Sequence, residues 1–484
     1  MTSELAQLLL PAIRWDATHG YDGERAGIER ALAAGVGGFI LFGGPAPDAL
    51  ALTTELRRRS AVPLLIAADL ERGAGQQFDG ATGLPPLAAI ASLGDPGLVR
   101  EAARLTARES RRLGVNWDLA PVCDVDLEPA NPIIGTRAFG ADVAKVSDYA
   151  AEWIDGCQSL GVLACAKHFP GHGRTSVDSH AALPVVGVSS QALEIDLAPF
   201  RAAIDAGVGA VMTAHVAYPS LDPSGTPATL SSPIVRTLLR ERLRFDGLVV
   251  TDALIMQGVL EGRDEADACV AALAAGCDLL CYPTAIPATV RAIERASASG
   301  LLDPEELRRS LHRRQRRAEW AAAPDPLPVG DPADVAWGHA LALRTVHVVR
   351  GRVAALSRMI ELVIVDDDLG GPYPAPSRAP FAEALRAAGI DLRVVDAPSS
   401  DGRRSTLVAL FGDIRSWKGR PGYSAASRSA VDRACSAARD AVVIQFSHPR
   451  LAAEIPGTAP IVSAWGGERT MQRAAARWLA GHLR

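Results

Sequence analysis

Two successive alternations of short apolar runs with Ala/Arg/Leu-rich helical stretches predict an α/β protein in two parts. Residues 1–325 are expected to form a (β/α)8 barrel of the TIM type, residues 326–340 a linker, and residues 341–484 a smaller three-layer α/β domain. Three observations support this. The chain of 484 residues exceeds one ordinary domain, and eight β/α units occupy about 250 residues. The apolar runs show little polar alternation, as strands covered on both faces do. Glycine closes many of the helical stretches, as in IERALAAGVGG, FRAAIDAGVGA and VAALAAGCD, and a glycine past a helix end is the usual stop signal.

In chain order, the strand candidates of the first part are GGFILF (37–42), VPLLIAAD (62–69), GVNWDLAPV (114–122), GVLACAKH (161–168), GAVMTAHV (209–216), GLVVTD (247–252) and CDLLCY (277–282), with LPVVG (183–187) as an eighth. A doubly wound open sheet is the alternative, but no G-x-G-x-x-G follows the first of these runs, which weakens a dinucleotide-binding reading. AAAPDPLPVGDPADVAW (321–337), rich in Pro and Asp, marks the junction. Beyond it ELVIVDD (361–367), LRVVDA (392–397), TLVALFG (406–412), AVVIQF (441–446) and PIVSAW (460–465) alternate with helices such as SAASRSAVDRACSAARD.

Composition narrows the function. A hydrophobic fraction of 48% and a charged fraction of 22% fit a globular protein with a filled core. The net charge of −5 contains no basic block, which argues against nucleic acid as a partner. The first twenty residues lack a positive n-region and a long apolar stretch, and no apolar run reaches about 18 residues, so neither a signal peptide nor a membrane span is expected. Seven cysteines, odd in number and set in apolar segments, suit reduced thiols in a cytoplasm. Cys277 and Cys281 are better explained by alternation along a strand than by a metal site or disulfide.

In a parallel barrel, chemistry collects where strands end at their carboxyl edge. Polar residues stand there after apolar runs: Asp69 after LLIAA, Lys167 and His168 after VLACA, His215 after AVMTA, Asp252 after GLVVT, and Asp124 and Asp126 after LAPV. The stretch AKHFPGHGRTSVDSH (166–180) is the densest, holding three of the ten histidines and one of the three lysines among 50 basic residues. In an extended loop Asp178 and His180 point to one side, close enough for the carboxylate to fix the imidazole tautomer and raise its basicity. A zinc site built from His168, His172, His180 and Asp178 is possible by residue type, but Lys167 next to it would repel the cation, and a structural role in capping turns is the third reading. The lysine favours an acid/base pair beside a substrate clamp, because a compact ammonium can donate to sugar hydroxyls where a guanidinium fork does not fit. His172, flanked by glycines, is assigned to loop shape.

KHFPGHGRTSVDSH resembles the signature of family 3 glycoside hydrolases, in the bacterial β-N-acetylglucosaminidase (β-hexosaminidase) branch. LAPVCDVDLEPANPIIGTRAFG, VMTAHVAYPSLDPSGTPATLS and FDGLVVTDALIMQGV are similar to further segments of that branch, in order over roughly residues 25–320. The C-terminal stretch, including PIVSAWGG, is more weakly similar to the family's C-terminal domain. The resemblance implies a retaining exo-acting enzyme that removes terminal N-acetylglucosamine from peptidoglycan fragments. Asp252 would be the nucleophile, His180 the general acid and base, and Asp178 its partner. Asp69, Arg137, Lys167 and His168 would bind the sugar and His215 would line the pocket. The branch usually continues Glu-Gly-Gly and an Arg after the aspartate. Here DLERGAGQQF places Arg72 for the first Gly and Gln77 about where the Arg would be, so Gln77 is a substrate-binding candidate. No metal or organic cofactor is implied, the partner is a small carbohydrate, and the oligomeric state is open. A β-glucosidase or broad hexosaminidase, a phosphorylase and a non-catalytic sugar-binding protein are the alternatives. The histidine loop is expected to move, bringing His180 to the glycosidic oxygen.

Overall fold

The computed structural model describes residues 4–260, 262–321, 323–325, 327–368, 375–399, 403–414, 418–438 and 440–483. The chain divides into two compact units. The first comprises Met1–Thr82, Asp95–Glu128 and Ala138–Asp331, and the second Gly83–Gly94, Pro129–Arg137 and Pro332–Arg484.

The strands of the first unit are β1 (Leu9–Leu10), β2 (Ala12–Arg14), β3 (Gly38–Phe42), β4 (Leu65–Ala68), β5 (Trp117–Asp118), β6 (Cys165–Phe169), β7 (Ala210–Thr213), β8 (Leu248–Thr251) and β9 (Leu280–Cys281). β2, β3, β4 and β5 pair in parallel in that order, β6, β7 and β8 form a second parallel set, and β1 pairs in parallel with β9. Helices such as Arg25–Ala34, Ala46–Arg59, Pro96–Arg112, Val143–Gln158 and Glu194–Asp205 lie between the strands. The strands carry buried Val, Ile, Leu, Phe and Ala throughout, consistent with their near-continuous apolar pattern. The Arg25–Ala34 helix stops at Gly35, whose φ of 81° is left-handed and whose N–H closes on Ala31 and Leu32 carbonyls.

Two sequence expectations are corrected here. LPVVG (183–187) is not a strand: Val185 makes a single bridge to Ala217. The additional strand material lies instead in LLLPAIR, where Pro11 supplies no N–H and divides the run into β1 and β2, which pair with different neighbours. Residues 326–340 are not simply a linker, because a helix begins at Pro332 and runs to Thr345. Pro at the first helical position is favourable, its missing N–H being one that a helix start leaves unpaired anyway.

The second unit holds β10 (His347–Arg350), β11 (Met359–Asp366), β12 (Asp391–Val394), β13 (Ser405–Phe411), β14 (Ala441–Phe446) and β15 (Ile461–Ser463), in the order β10-β15-β14-β13-β11-β12. All neighbours are parallel except the edge pair β10–β15. Phe381, Phe411, Phe446, Met471 and Leu479 fill one face of this sheet, and Val408, Tyr423, Val431 and Ile461 the other. Helices cover both faces, giving three layers. The antiparallel edge strand β10 was not expected from the sequence. Among the described residues no helix is long and apolar enough to cross a membrane. All seven cysteines are free.

Candidate active site

Parallel pairing puts the ends of β6, β7 and β8 at one edge of their sheet, β4 ends with parallel β3 and β5 in the other, and the polar residues singled out from the sequence follow or close these strands. The Lys167–His168 peptide is cis. Lys167 is 1% exposed, and its ammonium lies 2.7 Å from Asp69 Oδ1 and 2.8 Å from Glu71 Oε1. A buried lysine is tolerated only when its charge is matched, and here two carboxylates share the task. Glu71 is almost fully buried and was passed over in the sequence; its place two residues beyond Asp69 was the available signal.

His168 turns to a different carboxylate. Its Nδ1 is 2.7 Å from Asp124 Oδ2, while the His168 and His172 backbone N–H groups donate to Asp124 Oδ1 at 3.2 and 2.6 Å. Burial would raise the Asp124 carboxyl, but the two histidines and these donors hold it below the ordinary carboxylate range. Asp124 is therefore a hub that orients His168 and the turn after β6.

The turn itself needs glycine. A Cβ on Gly173 would stand 1.7 Å from the Val125 carbonyl oxygen, so only glycine admits this approach of two backbones. Further along, His180 Nδ1 is 2.7 Å from Asp178 Oδ1, the pairing expected from the spacing. The backbone differs from the expected extended segment. Asp178 Oδ1 also accepts the His180 N–H at 2.9 Å, and the Asp178 carbonyl accepts the Ala181 and Ala182 N–H groups at 3.0 and 3.2 Å. Aspartate readily bonds to the N–H two residues on and so opens a turn. The turn brings ring and carboxylate together as an extended strand would have done.

Asp252, immediately after β8, accepts the Ala253 N–H at 2.7 Å. Burial alone would raise its carboxyl, but the fields of His168, His215 and His180, with the Ala253 N–H, outweigh burial and hold it at about 2. His215 Nε2 lies 3.1 Å from the Ala253 carbonyl and Nδ1 2.8 Å from Thr229 Oγ1. Facing a carbonyl, Nε2 carries the proton, and the ring braces the peptide beside Asp252. Burial keeps His215 below the usual imidazole range despite the nearby Asp252 charge.

Two candidates have other surroundings. The Gln77 amide spans two backbone groups, accepting from the Gly43 N–H at 3.0 Å and donating to the Asp69 carbonyl at 3.4 Å, so it ties the ends of β3 and β4. Arg137 falls in the second unit, on the turn Gly135–Arg137, where its guanidinium donates to the Ile133 carbonyl at 3.0 Å. His168, His172, His180 and Asp178 do not converge as metal ligands: His168 turns to Asp124, His180 to Asp178, and His172 to two hydroxyls. Among the described residues no group of three or more His, Cys, Asp or Glu is placed to hold a metal ion.

Residues 4–316 match the family model for the glycosyl hydrolase family 3 N terminal domain. A Cellulomonas fimi protein named beta-N-acetylglucosaminidase/beta-glucosidase is 37% identical over 288 residues, which cover 57% of this chain and 51% of that protein. The chain thus spans about half the length of that relative. A beta-hexosaminidase of Thiobacillus denitrificans is 41% identical over 259 residues, covering 50% of this chain and 70% of its own. The solved structure of a family 3 beta-N-acetylglucosaminidase from a Paenibacillus species superposes with a TM-score of 0.86 at 29% identity, over 100% of this chain and 97% of its own. With the family model covering nearly two thirds of its length and a family structure matching it from end to end, this chain belongs to glycosyl hydrolase family 3.

Proposed function

We propose that the chain is a retaining exo-β-N-acetylglucosaminidase. The observation that carries this reading is the Asp178–His180 pair, whose segment is tied through the Ser179 and His180 carbonyls to the Gly258 and Gln257 N–H groups just beyond Asp252, a carboxyl that the nearby histidines hold low. The Asp252 carboxylate attacks the anomeric carbon as the glycosidic C–O bond breaks, and the protonated His180 imidazole gives its Nε2 proton to the departing oxygen. His180, now neutral, takes a proton from water. The water oxygen attacks the anomeric carbon, and Asp252 leaves as carboxylate. Asp178 keeps its charge throughout, holding the tautomer and stabilising the imidazolium. These steps use no metal or organic cofactor.

In this reading Lys167, Asp69 and His168 bind the N-acetylglucosamine and His215 lines its pocket. The relatives' names support the glucosamine preference. Peptidoglycan fragments as the source of the sugar rest on the resemblance of the histidine-loop motif, and a cytoplasmic location on the free cysteines set in apolar segments. Gln77, engaged with backbone, shapes the loop that carries Asp69.

The first unit is read as a closed (β/α)8 barrel. Its supports are the split of the first strand at Pro11, which gives β2 to β3 and β1 to β9, and the bridges Trp117–Leu163 and Val250–Leu279 that link the remaining neighbours.

The test is turnover of N-acetylglucosaminides by Asp252→Ala and His180→Ala variants, with glucosides and added phosphate as comparisons. Asp252→Ala should abolish hydrolysis. His180→Ala should slow substrates with poor leaving groups by about 10²-fold or more and activated aryl glycosides much less. Equal losses on both substrate kinds would refute the acid/base role.

A further inference from the structure

We infer that His172 is a positioning residue for the acid/base pair: its ring ties Ser179, which stands between Asp178 and His180, to the turn that follows β6. The inference rests on the acid/base reading proposed above and deepens it.

From Gly173 to Ala182 the backbone forms turns and bends with no strand ladder. Such a segment keeps one geometry only through side-chain and isolated backbone bonds. His172 is rooted at its own N–H, which donates to Asp124 Oδ1 at 2.6 Å. From there its ring reaches two hydroxyls. Nδ1 is 2.8 Å from Thr175 Oγ1, and Nε2 is 3.0 Å from Ser179 Oγ. The Thr175 hydroxyl also lies 3.1 Å from the His172 carbonyl, and it has one proton to give. If that proton goes to the carbonyl, Nδ1–H donates to Thr175 and Nε2 accepts from Ser179. If it goes to Nδ1, Nε2–H donates to Ser179. Either way a neutral ring spans the two hydroxyls.

The surroundings favour the neutral ring. His172, Thr175, Asp178 and Ser179 are all buried. Burial, together with His168, holds the His172 imidazole near 4 in spite of the Asp124 charge.

Ser179 is gripped from the opposite side as well. Its carbonyl accepts the Gly258 N–H at 3.0 Å, and the His180 carbonyl accepts the Gln257 N–H at 3.4 Å. A Cβ on Gly258 would lie 2.8 Å from the Ser179 carbonyl oxygen, so the approach is close. Gln257 and Gly258 follow Asp252 by five and six residues. The side chain of Ser179 is thus held by the segment that carries Lys167 and His168, and its carbonyl by the segment that carries Asp252. One residue registers the imidazole of His180 against the carboxylate of Asp252.

The test compares Ser179→Ala, Ser179→Thr and His180→Ala on two substrates: a disaccharide with N-acetylglucosamine at its non-reducing end, and an activated aryl N-acetylglucosaminide whose leaving group needs no proton. A misplacement of about 1 Å costs about 10²-fold, so Ser179→Ala should lower kcat on the disaccharide by about 10- to 100-fold with KM little changed. The activated substrate should lose less than about threefold, because protonation of its leaving group is not needed. Ser179→Thr keeps the hydroxyl and should recover most of the loss. Equal losses on both substrates, unchanged kcat on the disaccharide, or no recovery with threonine would each overturn the inference. If His180→Ala itself slowed both substrates alike, the acid/base reading would fall first, and that result is distinct from a failure of Ser179 alone.

Discussion

Asp118, at the end of β5, allows a stability prediction whose sign and size follow from the structure. The side chain is fully buried, and its Oδ2 accepts the Trp153 indole N–H at 3.1 Å. Among the described residues its Oδ1 meets no hydrogen-bond donor. Burial pushes the carboxyl up to about 7, with Trp153 and Lys167 opposing and Asp69 and Glu71 assisting. In the unfolded chain the same group titrates near 4. Between these values the unfolded state gives up a proton that the native state keeps. Stability therefore falls as pH rises from about 4 to about 7 and levels off above, and a shift of about 3 units corresponds to about 4 kcal/mol at 1.36 kcal/mol per unit. Asp118→Asn is nearly isosteric, retains an acceptor for Trp153 and does not titrate. It should remove this decline. The new amide N–H groups, buried without an acceptor, cost about 1–3 kcal/mol. The variant should thus equal or trail the parent near pH 4.5 and exceed it near pH 8 by about 1–3 kcal/mol, a rise of a few degrees in melting temperature. Calorimetric melting of both proteins between pH 4.5 and 8.5 is the assay. Parallel curves would show that Asp118 is ionised in the native state across the range and that burial does not govern it.

Three further outcomes are expected. Lys167→Met should lower the melting temperature and bring stability down by about 3–5 kcal/mol, since it leaves Asp69 and the buried Glu71 facing each other without their cation; a thermal melt matching the parent would contradict this. Gly173→Ala should displace the histidine loop from Val125 at a cost of about 1–3 kcal/mol and reduce hydrolysis, measured by melting and turnover together. In the second unit, Lys418 is buried against Asp367 and Asp368, so Lys418→Met should destabilise that unit by about 3–5 kcal/mol, read from hydrogen exchange of β11 and β13.

The candidate site was largely legible in the sequence because apolar parallel strands make any polar residue at their carboxyl ends conspicuous. Asp69, Lys167, His168, His215 and Asp252 are singled out this way, and each closes or follows a parallel strand of the first unit. The Asp178–His180 pairing was legible from its spacing, although the turn that produces it was not. Gln77 was singled out as a sugar ligand from its position alone; its amide bonds to the Gly43 and Asp69 backbones, partners that the spacing did not reveal. Glu71, the hub role of Asp124 and the grip on Ser179 escaped, since each depends on a partner brought from a distant segment.

By itself the sequence determined the α/β character of both units, most strand positions and the residue types available for chemistry, because burial pattern, turn propensity and short-range hydrogen bonding are written within a few residues. Only tertiary structure decided that Pro11 splits the first strand between two neighbours, and that segments 83–94 and 129–137 pack with the second unit. Tertiary structure also set which carboxylate each histidine and lysine meets. Those choices are made by packing and charge matching between segments far apart in the chain, where the cost of a buried unpaired group selects the partner and local spacing does not.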